Sequence, residues 1–216
     1  SLQDIPKSLI VIGGGYIGLE MGSVWSRLGT DVTVIEYLDH ILPGMDREIS
    51  KEFQKILAKQ GIKFLLNSKV DSVKSVDNKV ETKFLDNKSS NEGKIISDKV
   101  LISIGRKPYT DGLNLGKIGI KKDTKGRIEV NSKLQTSIEN IFAIGDVVKG
   151  PMLAHKAEEE GIAVAEILAG QVGHVNYDVI PGVIYTSPEV AYVGKTEEEL
   201  KNKKISYKIG KFPFLA

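Results

Sequence analysis

Residues Gly13, Gly14, Gly15, Tyr16, Ile17 and Gly18 space three glycines as G-x-G-x-x-G. Each of the three has a mechanical use. Gly13 permits a tight turn, Gly15 carries no Cβ and lets a pyrophosphate approach the backbone, and Gly18 lets the following helix lie close to a strand. A helix that opens there offers unpaired N–H groups and a partial positive charge to phosphate oxygens. Glu36 stands 18 positions after Gly18. A carboxylate at that place accepts from both ribose hydroxyls, and its charge repels a 2′-phosphate. The following residues, Tyr37, Leu38, Asp39 and His40, bring no Arg to rescue one. The chemistry implied is dinucleotide binding, with NAD favoured over NADP. Two blander readings stay open on spacing alone: Glu36 as an ordinary surface acid, and Glu20 as a carboxylate that merely favours the helix dipole.

The glycine pattern has weight only between a strand and a helix. Residues 7–12 (KSLIVI) form a continuous apolar run of the kind seen in buried parallel strands. Ile17, Met21, Val24 and Leu28 then recur at helical spacing on one face, and Gly29 punctuates the end. Residues 31–36 (DVTVIE) are β-branched and read as a second buried strand, completing a βαβ unit of about 30 residues. A second helix is expected from Asp46, a good N-cap, with Ile49, Phe53, Ile56 and Leu57 as its apolar stripe. A strand follows at 62–66, an antiparallel meander over 70–84 with a turn at 77–79, a polar loop at 86–93, and a buried strand at 99–104.

Residues 111–126 are loop-rich, with glycine at 112, 116, 119 and 126, and a boundary is placed there. Residues 141–144 read as a short buried strand that ends in Gly145-Asp146. Such an ending can put a carboxylate at the edge where ligands of open α/β sheets collect, though alone it is non-specific. Ala154, Ala157, Gly161, Ala165 and Leu168 mark a helix with a small-residue face. His155 by itself reads as a packed or exposed histidine at a helix start. Strands are expected around Tyr185, Val190, Tyr192 and Val193, a short helix at 196–203, and strand-like chain at 207–214.

Composition narrows the rest. The 216 residues, 41% hydrophobic, suffice for one ordinary domain and part of another. With a net charge of +2 and no long basic cluster, nucleic acid is not an expected partner. No apolar run reaches the length of a membrane span. There is no cysteine, so thiol catalysis and thiolate metal sites are excluded within the chain. Three scattered histidines make a metal site unexpected. The chain opens on Ser1 and runs through Ile5-Pro6-Lys7 into a strand, which reads as an internal start.

Five stretches carry a resemblance: 13–22 (GGGYIGLEMG), 102–110 (ISIGRKPYT), 136–147 (TSIENIFAIGDV), 150–161 (GPMLAHKAEEEG) and 185–194 (YTSPEVAYVG). They run almost the full length. The chain resembles the pyridine nucleotide (two-dinucleotide) disulfide oxidoreductases, and within them the dihydrolipoamide dehydrogenases. The stretch 152–158 is the most specific and is unlike the glutathione or mercuric reductases. The resemblance implies a Rossmann-like α/β NAD domain at 1–122, a remnant of the central, FAD-binding domain at 123–178, and the start of an α+β dimerisation domain at 179–216. It implies oxidation of dihydrolipoamide through a redox disulfide and FAD, with NAD as acceptor. Its partners would be a lipoyl domain of a 2-oxo acid dehydrogenase complex and a second copy of the chain, in bacterial cytoplasm or mitochondrial matrix.

By the same resemblance, NAD contacts fall on Gly13, Gly14, Gly15, Tyr16, Ile17, Gly18, Glu20, Glu36, Val70 and Gly105. Flavin contacts fall on Asp146, Met152, Leu153, Ala154 and His155. The family's earlier glycine motif, its C-x-x-x-x-C pair and its final His-Pro and Glu base have no counterpart here. The chain is therefore expected to be an internal fragment with no catalytic residue of its own, inactive alone and poor at holding FAD. Two other readings are a piece of another flavoprotein disulfide reductase and a non-catalytic NAD-binding module. Apolar surface at Tyr185, Tyr192 and Phe212 would then lack cover.

Overall fold

Strand β1 (Ser8–Ile12), helix α1 (Tyr16–Arg27) and strand β2 (Asp31–Ile35) form the expected βαβ unit in a computed structural model that describes residues 2 and 4–213. The two strands are parallel and in step from Ser8↔Asp31 to Ile12↔Ile35. That register has a consequence for the site: the residues after each strand, Gly13 and Glu36, emerge side by side at one sheet edge.

Helix α2 (Arg47–Lys59) starts where expected, with the Asp46 carboxylate accepting from the Glu48 N–H. Strand β3 (Lys63–Leu65) joins β2. The meander is β4 (Ser68–Val76), β5 (Lys79–Asp86) and β6 (Glu92–Ser97), antiparallel throughout. Asp77 and Asn78, at φ 48° and 62°, make its two-residue turn in the left-handed conformation that these residue types tolerate. The polar loop expected up to residue 93 ends earlier, because Gly93 already pairs with Phe84 in the ladder. A Cβ at Gly93 would overlap the Phe84 ring, so this glycine makes room for an aromatic neighbour rather than for a turn. Strand β7 (Lys99–Ile102) completes a four-stranded parallel sheet of order β3-β2-β1-β7. The expectation of a buried strand up to 104 fails: β7 is an edge strand, and Ile102 and Ile104 are exposed.

The largest correction concerns α1. Met21, Val24 and Leu28, expected to face the core, are exposed, and the buried side is Gly18, Leu19, Gly22 and Ser23. Close approach to the sheet decides this. A Cβ on Gly18 would overlap the Gly13 carbonyl oxygen and lie 2.6 Å from Ser103 Oγ and 3.0 Å from Val11 Cγ1. No large side chain fits between helix and strand there. In α2, Phe53 and Leu57 are buried as expected, whereas Ile49 and Ile56 are exposed and Ser50 takes the third inward place. The Ser50 hydroxyl donates to the Ile41 carbonyl at 2.7 Å, so its burial is satisfied. The core here gathers Leu9, Val11, Leu19, Val32, Val34, Phe53 and Leu57.

The two small positions on α1 are predicted to respond in opposite directions. Gly18→Ala overlaps backbone that cannot yield and should lose about 2 kcal/mol, overpacking outweighing the gain of about 1 kcal/mol in helix propensity. Gly22→Ala places its Cβ 3.5 Å from Val32 and 3.6 Å from Val11, ordinary contact distances, and should be neutral or stabilising. Urea unfolding midpoints of the two variants test this, and equal shifts would refute the packing account.

Contacts divide the chain into two units: residues through Gly105 together with those from Pro181, and Arg106–Ile180. The boundaries expected from the sequence, 122/123 and 178/179, differ from these divisions at 105/106 and 180/181. From Pro181, strands β8 (Gly182–Ile184) and β9 (Val190–Tyr192) make a hairpin whose Ile184 enters the core of the first unit. The exposed chain there includes Tyr185, Tyr192 and Phe212.

In the second unit, residues 141–144 form no strand. Only Phe142 bridges, to Gln135, since an extended segment needs a neighbouring ladder and no other described residue supplies one. A one-turn 3-10 helix (Gly145–Val147) follows, then helix α3 (Ala154–Leu168). Leu115, Ile120, Ile128, Ala143 and Val148 form its small core. Back in the first unit, α4 (Glu197–Asn202) begins with a Thr196/Glu199 capping box. Residues 207–213 are not a strand, and Phe214 lies outside the described residues.

Candidate functional site

Four α-helices begin among the described residues, and their first turns differ in a way that bears on ligands. Four amides at every helix start lack an internal partner. In α2 and α4 side chains and acidic residues serve them: Asp46 with Glu48, and Thr196 with Glu197, Glu198 and Glu199. In α1 and α3 there is no side-chain cap and no acid in the first turn. These two helices are the ones to which the family resemblance assigns dinucleotides.

At α1 the loop is built backwards from Gly13. Its N–H donates to the Ile35 carbonyl at 2.9 Å, and at φ +105° it occupies backbone space that L side chains rarely adopt. A Cβ there would also sit 2.6 Å from the Ser103 carbonyl oxygen. Ser103 Oγ donates to the carbonyls of Ile12, at 3.0 Å, and Gly13, at 3.2 Å. Ser103 thus locks the turn from the neighbouring β7 side, a role the sequence reading missed because Ser103 sits inside an apparently apolar strand.

Glu36 faces this loop. It is 8% exposed; its Oε2 accepts from the Gly14 N–H at 2.6 Å and its Oε1 from the Leu38 N–H at 2.8 Å. Gly14 is small for the same reason, since a Cβ would come within 3.2 Å of Glu36 Oε2 and of Ile41 Cγ2. The Gly14 amide is consequently taken by Glu36 and not open to phosphate. Each carboxylate oxygen has two acceptor sites, so both retain capacity for a hydroxyl.

Gly15 is different from its neighbours. Its backbone is ordinary extended chain, φ −77° and ψ 177°, and nothing lies within 4 Å of where a Cβ would stand. Neither conformation nor packing within the chain requires glycine at this position. The open space lies directly in front of the uncapped first turn, Tyr16 and Ile17.

The other expected NAD contacts are spread around this core. Val70 packs beside Ile10, Ile12 and Ile35, at a β4 irregularity between Val70 and Ser72. Glu20 is half-buried, and its Oε1 accepts from the Tyr185 N–H at 2.9 Å, tying α1 to the segment after β8. Gly105 has φ +121° and is exposed at the end of the first unit.

In the second unit, Asp146 lies in the 3-10 turn and its Oδ2 accepts from Arg106 Nη1 at 2.8 Å. Arg106 Nη2 also donates to the Met152 carbonyl. One guanidinium thus gathers Asp146 and the start of α3, where Met152, Leu153, Ala154 and His155 lie. Leu153 is the helix N-cap, in extended conformation. Arg106 has no role assigned by spacing; it lies in the 102–110 stretch that carries the resemblance. Among the described residues no group of His, Asp or Glu is arranged to hold a metal ion, and no helix is long and apolar enough to cross a membrane.

Comparison with known proteins agrees with this architecture. Residues 1–161 match the family model of pyridine nucleotide-disulphide oxidoreductases, and residues 180–216 match that family's dimerisation domain. The chain belongs to the pyridine nucleotide-disulphide oxidoreductase family, as its motifs indicated. Over its whole length it is 55% identical to the mitochondrial dihydrolipoyl dehydrogenase of Pisum sativum and 54% identical to that of Bos taurus, in each case covering 43% of the relative. The chain therefore spans less than half the length of these curated relatives. Among solved structures, the HOCl-induced flavoprotein disulfide reductase RclA from Escherichia coli superposes with a TM-score of 0.84 at 30% identity, over 94% of this chain and 46% of that one. The α/β fold with its parallel sheet and meander is that of the flavoprotein disulfide reductases.

Proposed function

We propose that this chain is the nucleotide-binding portion of an NAD-dependent dihydrolipoyl dehydrogenase. In this reading residues 1–122 hold NAD, 123–178 contribute to the FAD site, and 179–216 begin the dimerisation domain. The observation that carries it is Gly15, whose missing Cβ serves nothing inside the chain and opens the space before an uncapped helix start. A diphosphate fits there: amides of the first turn donate to its oxygens, and the helix end favours its charge. The free acceptor sites of Glu36 take the ribose hydroxyls and disfavour a 2′-phosphate. Val70 and Gly105 border the adenine and nicotinamide ends, and Glu20, fixed by the Tyr185 amide, orients the nicotinamide side.

The second helix start without a side-chain cap or a first-turn acid fits the flavin. Asp146 would accept from the ribityl or pyrophosphate region, and residues 152–155 would line the ring system from the start of α3. FAD, when bound, supplies the two-electron carrier between dithiol and nicotinamide. Since the chain has no cysteine, it contributes binding and orientation and no thiol chemistry. The partners of the whole protein are a lipoyl domain and a second copy of itself. Its compartment is the mitochondrial matrix in a eukaryote, or the cytoplasm in a bacterium.

The identity of 54–55% to dihydrolipoyl dehydrogenases, against 30% to RclA, favours dihydrolipoamide over the substrate of another flavoprotein disulfide reductase. The test is a steady-state assay of the full-length protein with free dihydrolipoamide and NAD, beside the 216-residue chain alone. NADH formation by the full-length protein and none by the chain is expected. A full-length protein that reduces another disulfide or metal substrate, and ignores dihydrolipoamide, would overturn the assignment.

A further inference from the structure

One buried charge pair in the second unit has no part in the contacts proposed above. Lys156 and Glu160, one helical turn apart on α3, are both 0% exposed, with Lys156 Nζ 3.0 Å from Glu160 Oε1. Burying such a pair seldom stabilises a fold beyond what apolar side chains of similar volume would achieve, so its retention calls for another account.

Its partners supply one. Lys156 Nζ donates to the Gly145 carbonyl at 2.9 Å, and Glu160 Oε2 accepts from the Gly145 N–H at 2.7 Å. Two opposite buried charges thus hold both main-chain polar groups of a single residue. Gly145 has φ +75°, a conformation that glycine enters and leaves freely. The residue after it is Asp146.

The surroundings keep the pair in place. Tyr177 Oη donates to Glu160 Oε1 at 2.7 Å and fixes the carboxylate from the far side. Burial, together with that bond to Glu160, holds the Tyr177 phenol well above its usual range, so it stays a donor. Gly150 leaves room for the lysine stem, since a Cβ there would come 3.0 Å from Lys156 Cε. Every oxygen of Glu160 has a partner, and the ammonium has two acceptors, so the buried charges are satisfied.

We infer that Lys156, Glu160 and Tyr177 are positioning residues: they clamp the Gly145 turn so that the Asp146 carboxylate is presented in one orientation, and through it they set the affinity for FAD. The inference rests on the reading of Asp146 as a flavin contact and names the residues that make that contact effective. A clamped turn meets the ligand already ordered, whereas a free glycine turn must be ordered on binding, at a cost in affinity.

The test uses the full-length flavoprotein stripped of FAD and titrated with it, following flavin fluorescence. Three variants are compared: Lys156→Met/Glu160→Met, which removes both charges together, Tyr177→Phe, and Asp146→Asn. The double variant should melt a few degrees lower, because the buried N–H and C=O of Gly145 lose their partners, yet keep parental NAD affinity, while its Kd for FAD rises about 10-fold or more, the scale of one charged hydrogen bond. Tyr177→Phe should raise it about 3-fold. A double variant with FAD affinity within about 2-fold of the parent, beside a weakened Asp146→Asn, would overturn the clamp and leave the flavin reading intact. An unaffected Asp146→Asn would overturn that reading, and the clamp with it. Should the double variant fail to fold, Tyr177→Phe decides: weaker FAD binding at an unchanged melting temperature supports the clamp, and unchanged binding refutes it.

Discussion

Replacing Glu36 by Gln is expected to abolish most of the protein's discrimination between NAD and NADP. The parental chain should favour NAD by at least about 100-fold, because a 2′-phosphate about 4 Å from the Glu36 carboxylate meets a repulsion of about 4 kcal/mol per unit charge near a protein surface, part of which water and counter-ions relieve. Among the described residues no cation pairs with Glu36 to offset it; both of its oxygens bond backbone amides, those of Gly14 and Leu38. Gln keeps the shape and one carbonyl acceptor, but its NH₂ must face one of those two N–H groups. NAD binding should therefore weaken about 10-fold, through the lost ribose acceptor and a looser glycine loop, at roughly 1.5–3 kcal/mol per charged hydrogen bond. NADP binding should improve, and the ratio should fall below about 10. Isothermal titration of both nucleotides against both proteins measures this. Equal parental affinities, or a ratio that Gln leaves unchanged, would remove Glu36 from the specificity argument.

The sequence made the βαβ unit legible because three independent signals coincide there: an apolar strand, a glycine pattern and an acid at the end of the next strand. The parallel register then places Gly13 beside Glu36, and spacing alone had anticipated that neighbourhood. What spacing could not supply is which face of α1 points inward. Periodicity counts large apolar residues, so it selects Met21, Val24 and Leu28; the sheet instead meets Gly18, where the helix lies too close for any Cβ, with Leu19, Gly22 and Ser23 beside it. Glycine has no hydropathy to register in such a count. Residues 141–144 misled for a related reason. Their composition suits a buried strand, but a strand exists only with a partner ladder, and among the described residues these form a single bridge, to Gln135. Ser103, Arg106 and the Lys156–Glu160 pair were illegible for a third reason: each acts on backbone atoms far along the chain, and no local pattern encodes such a contact.

Gly15→Ser should separate folding from binding in a single substitution. The backbone at Gly15 is in the extended region that serine adopts without strain, and the added atoms enter empty space. Serine is moreover a better N-cap than glycine by a few tenths of a kcal/mol, since its hydroxyl accepts from an amide of the first turn. Thermal unfolding should therefore show a melting temperature that is unchanged or slightly raised. The same hydroxyl occupies the amide and the volume that a pyrophosphate would use. NAD affinity should consequently fall at least about 100-fold, the equivalent of one or two charge-assisted hydrogen bonds plus a steric loss. Gly18→Ala makes the opposite demand, since it must injure the fold before any ligand arrives. A Gly15→Ser protein that binds NAD like the parent would mean that the phosphates approach elsewhere, and that the vacant space in front of α1 has no bearing on the nucleotide. A variant that lost stability in proportion to its affinity would mean that the glycine serves the chain after all.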